Sequence, residues 1–370
     1  MNETAQKSAP IIEGRHLAKR FGGKKGFFQS SPTVYAVNDV SISVWPGETF
    51  AIVGESGCGK STLARLLLRL IEPSDGSVVY QGKDITTLSA SEMRALRSEM
   101  QIIFQDPFAS LNPRMTVGNI IAEPIRLHGL AKGKSVEKRV AELLQTVGLR
   151  PEYANRYPHE FSGGQRQRIG VARALAGQPK LIIGDEPVSA LDVSIQAQVI
   201  NLLEDLKEQF GLTLIIVAHD LAVIRHMSDR VAVMYLGEVV ELSPVDPLYE
   251  KPLHPYTQTL LDAIPVPVPG GREKRSLARG DVPSPTNPPP GCRFHTRCPY
   301  VQEKCRVDHP PLEDVGGGRS VSCHFWREIQ EQDHATAPVD ETSAKLAQRL
   351  EIYRAYQSAK ENSPAAVPAE

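Results

Sequence analysis

The stretch GESGCGKST, from Gly54 to Thr62, carries the glycine spacing and the Lys-Ser pair of a phosphate-binding loop. Gly54, Gly57 and Gly59 let the backbone wrap closely, so that amide hydrogens point inward at phosphate oxygens. The whole run Gly54, Glu55, Ser56, Gly57, Cys58, Gly59, Lys60, Ser61 and Thr62 is therefore the expected cradle of a nucleoside triphosphate. Lys60 supplies a cation to the β and γ phosphates, and the Ser61 hydroxyl can ligate Mg²⁺. Further on, LIIGDE is an apolar run ending in two acids. Asp185 at its tip suits Mg²⁺, and Glu186 is placed to polarise the water that attacks the γ phosphate. FSGGQRQR puts Ser162, Gly163, Gly164 and Gln165 just before a helical run, which is a second anion site. One chain has little use for two such cradles on one triphosphate.

Cysteine placement adds a separate chemistry. Of five cysteines, Cys58 stands alone in the phosphate loop, while Cys292, Cys298, Cys305 and Cys323 fall within 32 residues. A thiol at a helix N-terminus can be acidified and reactive, or Cys58 can be an inert small residue at a tolerant loop position. The later spacing, C-x5-C-x6-C-x17-C, lacks the close pair usual in structural zinc sites. By ligand type the four thiols suit an iron–sulfur cluster as well as zinc, and residue chemistry alone leaves that choice open.

These groups need strand ends and helix starts to position them. TFAIV (Thr49–Val53) reads as a buried strand feeding the loop, and STLARLLLRL as the helix that follows it. Strands are expected from Ile11, over Val34–Val44, Val78–Tyr80, Ile102–Phe104, Leu181–Gly184, Thr213–Ala218 and Val231–Tyr235. A helical pattern runs from about Thr116 to Tyr157, with EKRVAELLQTVGL its best amphipathic piece. The alternation predicts an α/β domain on a largely parallel sheet, over residues 1–255, with a helical subdomain at about 106–165. Residues 256–328 form an extension, entered through a connector in which five of the eight residues from Pro283 to Pro290 are proline. Residues 329–370 read as a polar tail with room for one helix.

With 41% hydrophobic and 23% charged residues the 370-residue composition is that of a globular protein, and a net charge of −1 gives no electrostatic reason to expect a nucleic-acid partner. No apolar run approaches the roughly 20 residues that span a bilayer, and no secretory signal is evident at the N-terminus. The chain is expected in the cytosol, with any membrane association made through partners.

Taken in order, the phosphate loop, Gln105, FSGGQRQR, LIIGDE, SALD ending at Asp192, and His219 resemble the ATP-binding subunit of an ABC transporter. QDPFASLNPRMTVGNIIAEP, HPYTQTLLDAIP and PSPTNPPPGCRFHTRCP extend the likeness to the oligopeptide and dipeptide importers. The resemblance covers nearly everything from Ile11 to Trp326. It implies a P-loop ATPase fold of ABC type: a parallel sheet core, an antiparallel β subdomain, a helical subdomain and a small Cys-containing extension. It implies that Ser162, Gly163, Gly164 and Gln165 reach across a dimer to the γ phosphate on the facing subunit. Gln105 would sense the γ phosphate and Mg²⁺, His219 would contact the γ phosphate, and Asp192 would link the two ATP sites. Phe21 fits the aromatic that stacks on adenine, with Tyr35 as its rival. Phe161 and Gly184 stand where relatives often carry leucine and alanine. In this subfamily the extension can hold a [4Fe–4S] cluster, which makes Cys292, Cys298, Cys305 and Cys323 its expected ligands.

The long loop between Phe21 and Tyr35 resembles the second of two paralogous ATPases, so a heterodimer is expected in preference to a homodimer. Two transmembrane permease subunits and an extracytoplasmic solute-binding protein complete the implied machine, placing this chain on the cytoplasmic face of the inner membrane. A DNA-repair or translation ATPase of the same fold, and a regulatory subunit that binds ATP without turnover, are the competing readings. The cargo is not legible here.

Overall fold

The computed structural model describes residues 9–22, 25–26, 29–30, 32–189, 191–264 and 280–331. Strand β1 (Ile12–Phe21) is followed by a small hairpin, β2 (Lys25–Gly26) and β3 (Gln29–Ser30), and by β4 (Val34–Val44). The fully buried β5 (Thr49–Val53) runs through the phosphate loop into α1 (Lys60–Leu67). Next come β6 (Asp75–Tyr80), β7 (Lys83–Asp84), α2 (Ala90–Leu96) and β8 (Met100–Ile103). The helical part holds α3 (Pro107–Ser110), α4 (Val117–Leu127), α5 (Lys134–Thr146) and α6 (Gly163–Leu175). Strands and helices then alternate: β9 (Leu181–Asp185), α7 (Val193–Phe210), β10 (Thr213–Ala218), α8 (Leu221–Ile224) and β11 (Arg230–Tyr235). The remainder comprises β12 (Glu238–Pro244), α9 (Val245–Glu250), α10 (Pro255–Asp262), α11 (Glu303–Val307), β13 (Glu313–Gly316), β14 (Arg319–Val321) and α12 (Trp326–Glu331).

Two sheets organise the molecule. An antiparallel sheet has the order β4-β1-β6-β7, and an eight-stranded sheet has the order β13-β14-β12-β11-β5-β10-β9-β8. Within the larger sheet β11, β5, β10, β9 and β8 are parallel, whereas β12, β14 and β13 add antiparallel. Register aligns the strand ends that matter: Ala218 lies opposite Val53, and Val217 opposite Asp185. The loops leaving β5, β9 and β10 therefore open side by side at the carboxyl edge, where open parallel sheets bind ligands.

Apolar periodicity explains the helical part. In α5, Val136, Val140, Leu143 and Leu144 recur at helical spacing and are buried against Ile120, Ile121 and Ile125 of α4 and Ile169 of α6, in one continuous core. Burying each such side chain contributes about 1.5–3 kcal/mol. The expected helical stretch from 116 to 157 divides: α4 stops short of Gly129 (φ 66°), α5 starts after Gly133 (φ 56°), and Pro151 opens a short 3₁₀ turn, Pro151–Asn155. Strands β12, β13 and β14 had no alternation strong enough to announce them. β12 follows from the tight Leu236-Gly237 turn after β11, and the short β14 pairs with it through Glu241 and Leu242. The polar tail expected at 329–370 lies outside the described residues beyond Glu331.

Candidate active site

At the C-terminal end of β5 the phosphate loop closes on itself. Lys60 Nζ donates to the carbonyls of Gly54 (2.7 Å) and Glu55 (3.0 Å), and the lysine is buried at 4% exposure. Gly59, the N-cap of α1, has φ 106°, and a Cβ there would sit 2.1 Å from the Ala36 carbonyl oxygen. Only glycine satisfies both demands. α1 therefore begins at Lys60 with its first amides open toward the loop.

Ser61 Oγ donates to Asp185 Oδ1 at 2.6 Å, which joins the helix start to the tip of β9. Asp185 is buried, and Arg65 Nη2 lies 4.0 Å from its other oxygen. Arg65 was missed by the sequence reasoning; its one-turn offset from Ser61 was the available signal.

Beyond Asp185, Glu186 adopts φ 48° while its N–H donates to the Val217 carbonyl at 3.0 Å. A non-glycine residue held in the left-handed region is strained, and such strain clusters at functional positions. The Glu186 carboxylate gathers two partners. Its Oε2 accepts from Gln105 Nε2 at 2.8 Å and stands 3.4 Å from His219 Nδ1. The three residues from the ends of β8, β9 and β10 thus converge on one carboxylate. Glu186 and His219 also line an apolar cavity with Val188, Ile200 and Met227.

Ser162, Gly163, Gly164 and Gln165 stand at the start of α6, bonded to one another. The Ser162 side chain accepts from the Gln165 amide, and Gln165 Oε1 accepts from the Ser162 amide at 3.1 Å. This reciprocal cap fixes the helix terminus. A Cβ on Gly164 would lie 2.5 Å from Ile195 Cγ2, and one on Gly163 3.5 Å from Leu191, so the signature packs against the segment carrying Asp192. Asp192 is the N-cap of α7, yet its carboxylate makes no capping bond.

Phe21 is 42% exposed, with Lys19 Nζ 5.2 Å from its ring centroid, whereas Tyr35 is half-buried. Phe21 pairs with Val34 and Arg20 with Tyr35, so the two aromatics project from opposite faces of the same sheet. Cys58 follows the inert one of its two alternatives: it is 4% exposed, and burial pushes its thiol up rather than down. Desolvation outweighs the nearby Lys60 charge, so the inert alternative describes it.

The four later cysteines do come together. Cys292, Cys298, Cys305 and Cys323 line one cavity, walled also by His254, His295 and Phe294. Burial pushes the thiols of Cys292 up to about 11 and those of Cys298 and Cys323 up to about 12, reinforced by the neighbouring sulfurs. Among the described residues, however, no three His, Cys, Asp or Glu side chains are grouped to hold a single metal ion. His309 turns away to Glu238 at 2.8 Å, and His324 to the Asp308 carbonyl at 3.0 Å.

Comparison with known proteins gives a consistent picture. A family model described as ABC transporter matches residues 37–189, and one described as oligopeptide/dipeptide transporter, C-terminal region, matches residues 240–305. The chain is 52% identical over 327 residues to the oligopeptide transport ATP-binding protein AppF of Bacillus subtilis, covering 87% of this chain and 99% of that one. It is 52% identical over 330 residues to the oligopeptide transport ATP-binding protein OppF of Escherichia coli, covering 87% and 98%. A dimeric ATP-binding cassette solved in a post-hydrolysis state with ADP and Pi superposes with a TM-score of 0.57 at 30% identity, covering 64% of this chain and 99% of that one.

Proposed function

Because this chain belongs to the ABC transporter ATP-binding subunits that carry the oligopeptide/dipeptide C-terminal region, we propose that it hydrolyses ATP to energise peptide import. The observation that carries this reading is the meeting of Gln105, Glu186 and His219 beside a phosphate loop already tied to Asp185 through Ser61.

Lys60 exchanges its bonds to loop carbonyls for β and γ phosphate oxygens, a charge-assisted replacement for neutral acceptors. Ser61, Asp185 and Gln105 are the residues that would hold Mg²⁺, which supplies charge neutralisation at the β and γ oxygens. Glu186 acts as the base that orients and polarises water, while Gln105 and His219 fix its carboxylate. Phe21 offers adenine an open ring face, and its exposure supports it over Tyr35.

Ser162, Gly163, Gly164 and Gln165 would meet the nucleotide of a facing subunit, and Asp192, its carboxylate unspent on its own helix, would join the two sites. A paralogous ATPase as that facing subunit, two permease subunits beneath, and an extracytoplasmic binding protein that chooses cargo complete the assembly. Among the described residues no helix is long and apolar enough to cross a membrane. Attachment through the permeases, on the cytoplasmic side, follows from the likeness to oligopeptide transport ATP-binding proteins.

The shared cavity of Cys292, Cys298, Cys305 and Cys323 supports an all-sulfur ligand set for a [4Fe–4S] cluster. Anaerobic purification should then yield roughly four irons and four sulfides per chain. Zinc, or no metal, would remove that part of the reading. For the main reading, co-expression with candidate permease subunits and a second ATPase subunit should return one membrane complex with Mg²⁺-dependent ATPase activity. Co-purification with DNA or ribosomes instead would overturn it.

A further inference from the structure

Glu55, the second residue of the phosphate loop, is gripped from the C-terminal extension at two points. Its carboxylate forms a two-pronged pair with Arg297, Nη1 to Oε2 at 2.7 Å and Nη2 to Oε1 at 2.9 Å. Its backbone N–H donates to the Tyr256 hydroxyl at 2.8 Å. The third polar group of the same residue, its carbonyl, accepts from Lys60 at 3.0 Å. Every polar handle of Glu55 is thus committed, two of them to side chains some 200 residues further along the chain, with separations of 201 and 242.

Those side chains are themselves immobilised. The Arg297 side chain is 8% exposed, and its guanidinium lies 5.9 Å from the ring centroids of both Tyr235 and Phe294. Tyr235, Tyr256 and Phe294 are each 1% exposed or less, with centroid separations of 4.7, 5.3 and 5.4 Å. The Arg297 amide donates to the Phe294 carbonyl at 3.0 Å, in the turn between Cys292 and Cys298. A planar, two-pronged donor in a dry aromatic setting fixes orientation as well as distance.

We propose that Arg297 and Tyr256 are positioning residues for ATP, through which the extension sets the shape of the phosphate loop and hence the nucleotide affinity. Both act through Glu55, to which their polar groups are bonded. The cysteine-lined turn is thereby a structural strut of the ATP site. This inference rests on the loop being that site, and a Lys60 control separates the two.

The test measures MgATP affinity of the full-length chain by competition with a fluorescent ATP analogue, alongside steady-state kinetics of the assembled complex. Arg297→Gln should weaken MgATP binding about tenfold, equivalent to about 1.4 kcal/mol, with KM rising in step and kcat within about threefold. Arg297→Lys should recover part of the loss, since it keeps the charge without the fork. Glu55→Gln combined with Arg297→Gln should cost no more than either alone. Tyr256→Phe, which removes one oxygen from a buried ring, should weaken binding about threefold and stands in should Arg297→Gln fail to fold. Wild-type affinity in folded Arg297→Gln and Tyr256→Phe, while Lys60→Ala loses binding, would overturn the proposal alone. Additive losses in the double variant would also overturn it. Unchanged binding in Lys60→Ala would instead remove the ATP-site reading itself.

Discussion

Replacing Glu186 by Gln separates chemistry from architecture at this site. The carboxylate accepts from Gln105 at 2.8 Å and faces His219 at 3.4 Å, and the residue's left-handed backbone is anchored by its amide bond to Val217. Glutamine has the same length and retains one acceptor oxygen, so the Gln105 contact and the strained turn should survive. What disappears is the negative charge that draws a proton from water. General-base assistance is worth roughly 10²–10⁴ in rate, equivalent to about 2.7–5.5 kcal/mol of transition-state stabilisation. Steady-state ATPase of the Glu186→Gln complex should fall by at least about 100-fold while MgATP still binds. With turnover blocked, the ATP-bridged pair of subunits should persist, and size-exclusion in ATP and Mg²⁺ should show a stable dimer that ADP does not support. Turnover within about threefold of wild type would refute the base assignment. A large loss of ATP binding would show that Glu186 holds the nucleotide instead.

Two further perturbations probe other parts of the account. Phe21→Ala removes an exposed ring worth about 0.5–1.5 kcal/mol of stacking, so KM for ATP should rise about two- to tenfold, whereas Tyr35→Ala should change it less than twofold. The reverse order would reassign the adenine contact. His254, fully buried with its Nδ1 accepting from the Tyr256 amide, is held down to about 3 from its ordinary 6.5 by burial. Between those values the unfolded chain carries the extra proton, so this group's contribution to stability falls as pH drops, by roughly 1.4 kcal/mol per pH unit. His254→Asn keeps an acceptor for that amide without titrating. Its unfolding free energy, measured in urea, should gain on wild type as pH falls from 6.5 to 5, and parallel curves would contradict the assignment.

Residues whose role follows from local spacing were legible before any coordinates. The phosphate loop, Asp185, Glu186 and the Ser162 cap each lie at a strand end or helix start that hydrophobic runs announce. Their meeting in space was legible only as an ordered set, since Gln105 and His219 are single polar residues without a local pattern. Strands β13 and β14 escaped notice because a three- or four-residue strand has too few positions to show alternation, and the seven-residue β12 because its consecutive buried residues Val239, Val240 and Glu241 break the two-residue period. The left-handed backbone of Glu186 and the grip of Arg297 on Glu55 depend on contacts far apart in sequence, for which local propensity carries no signal. The two readings of Cys58 are separated for a related reason: a helix start argues for an acidic thiol, and only packing reveals that the sulfur is dry.

Transport in a sealed system tests the central claim most directly. The complex of this chain with its partner ATPase and permeases, reconstituted in vesicles with ATP and Mg²⁺ on the cytoplasmic side, should accumulate labelled peptide in step with phosphate release. Lys60→Ala should abolish both together. Peptide uptake that continues without hydrolysis, or hydrolysis untouched by loss of Lys60, would contradict the account.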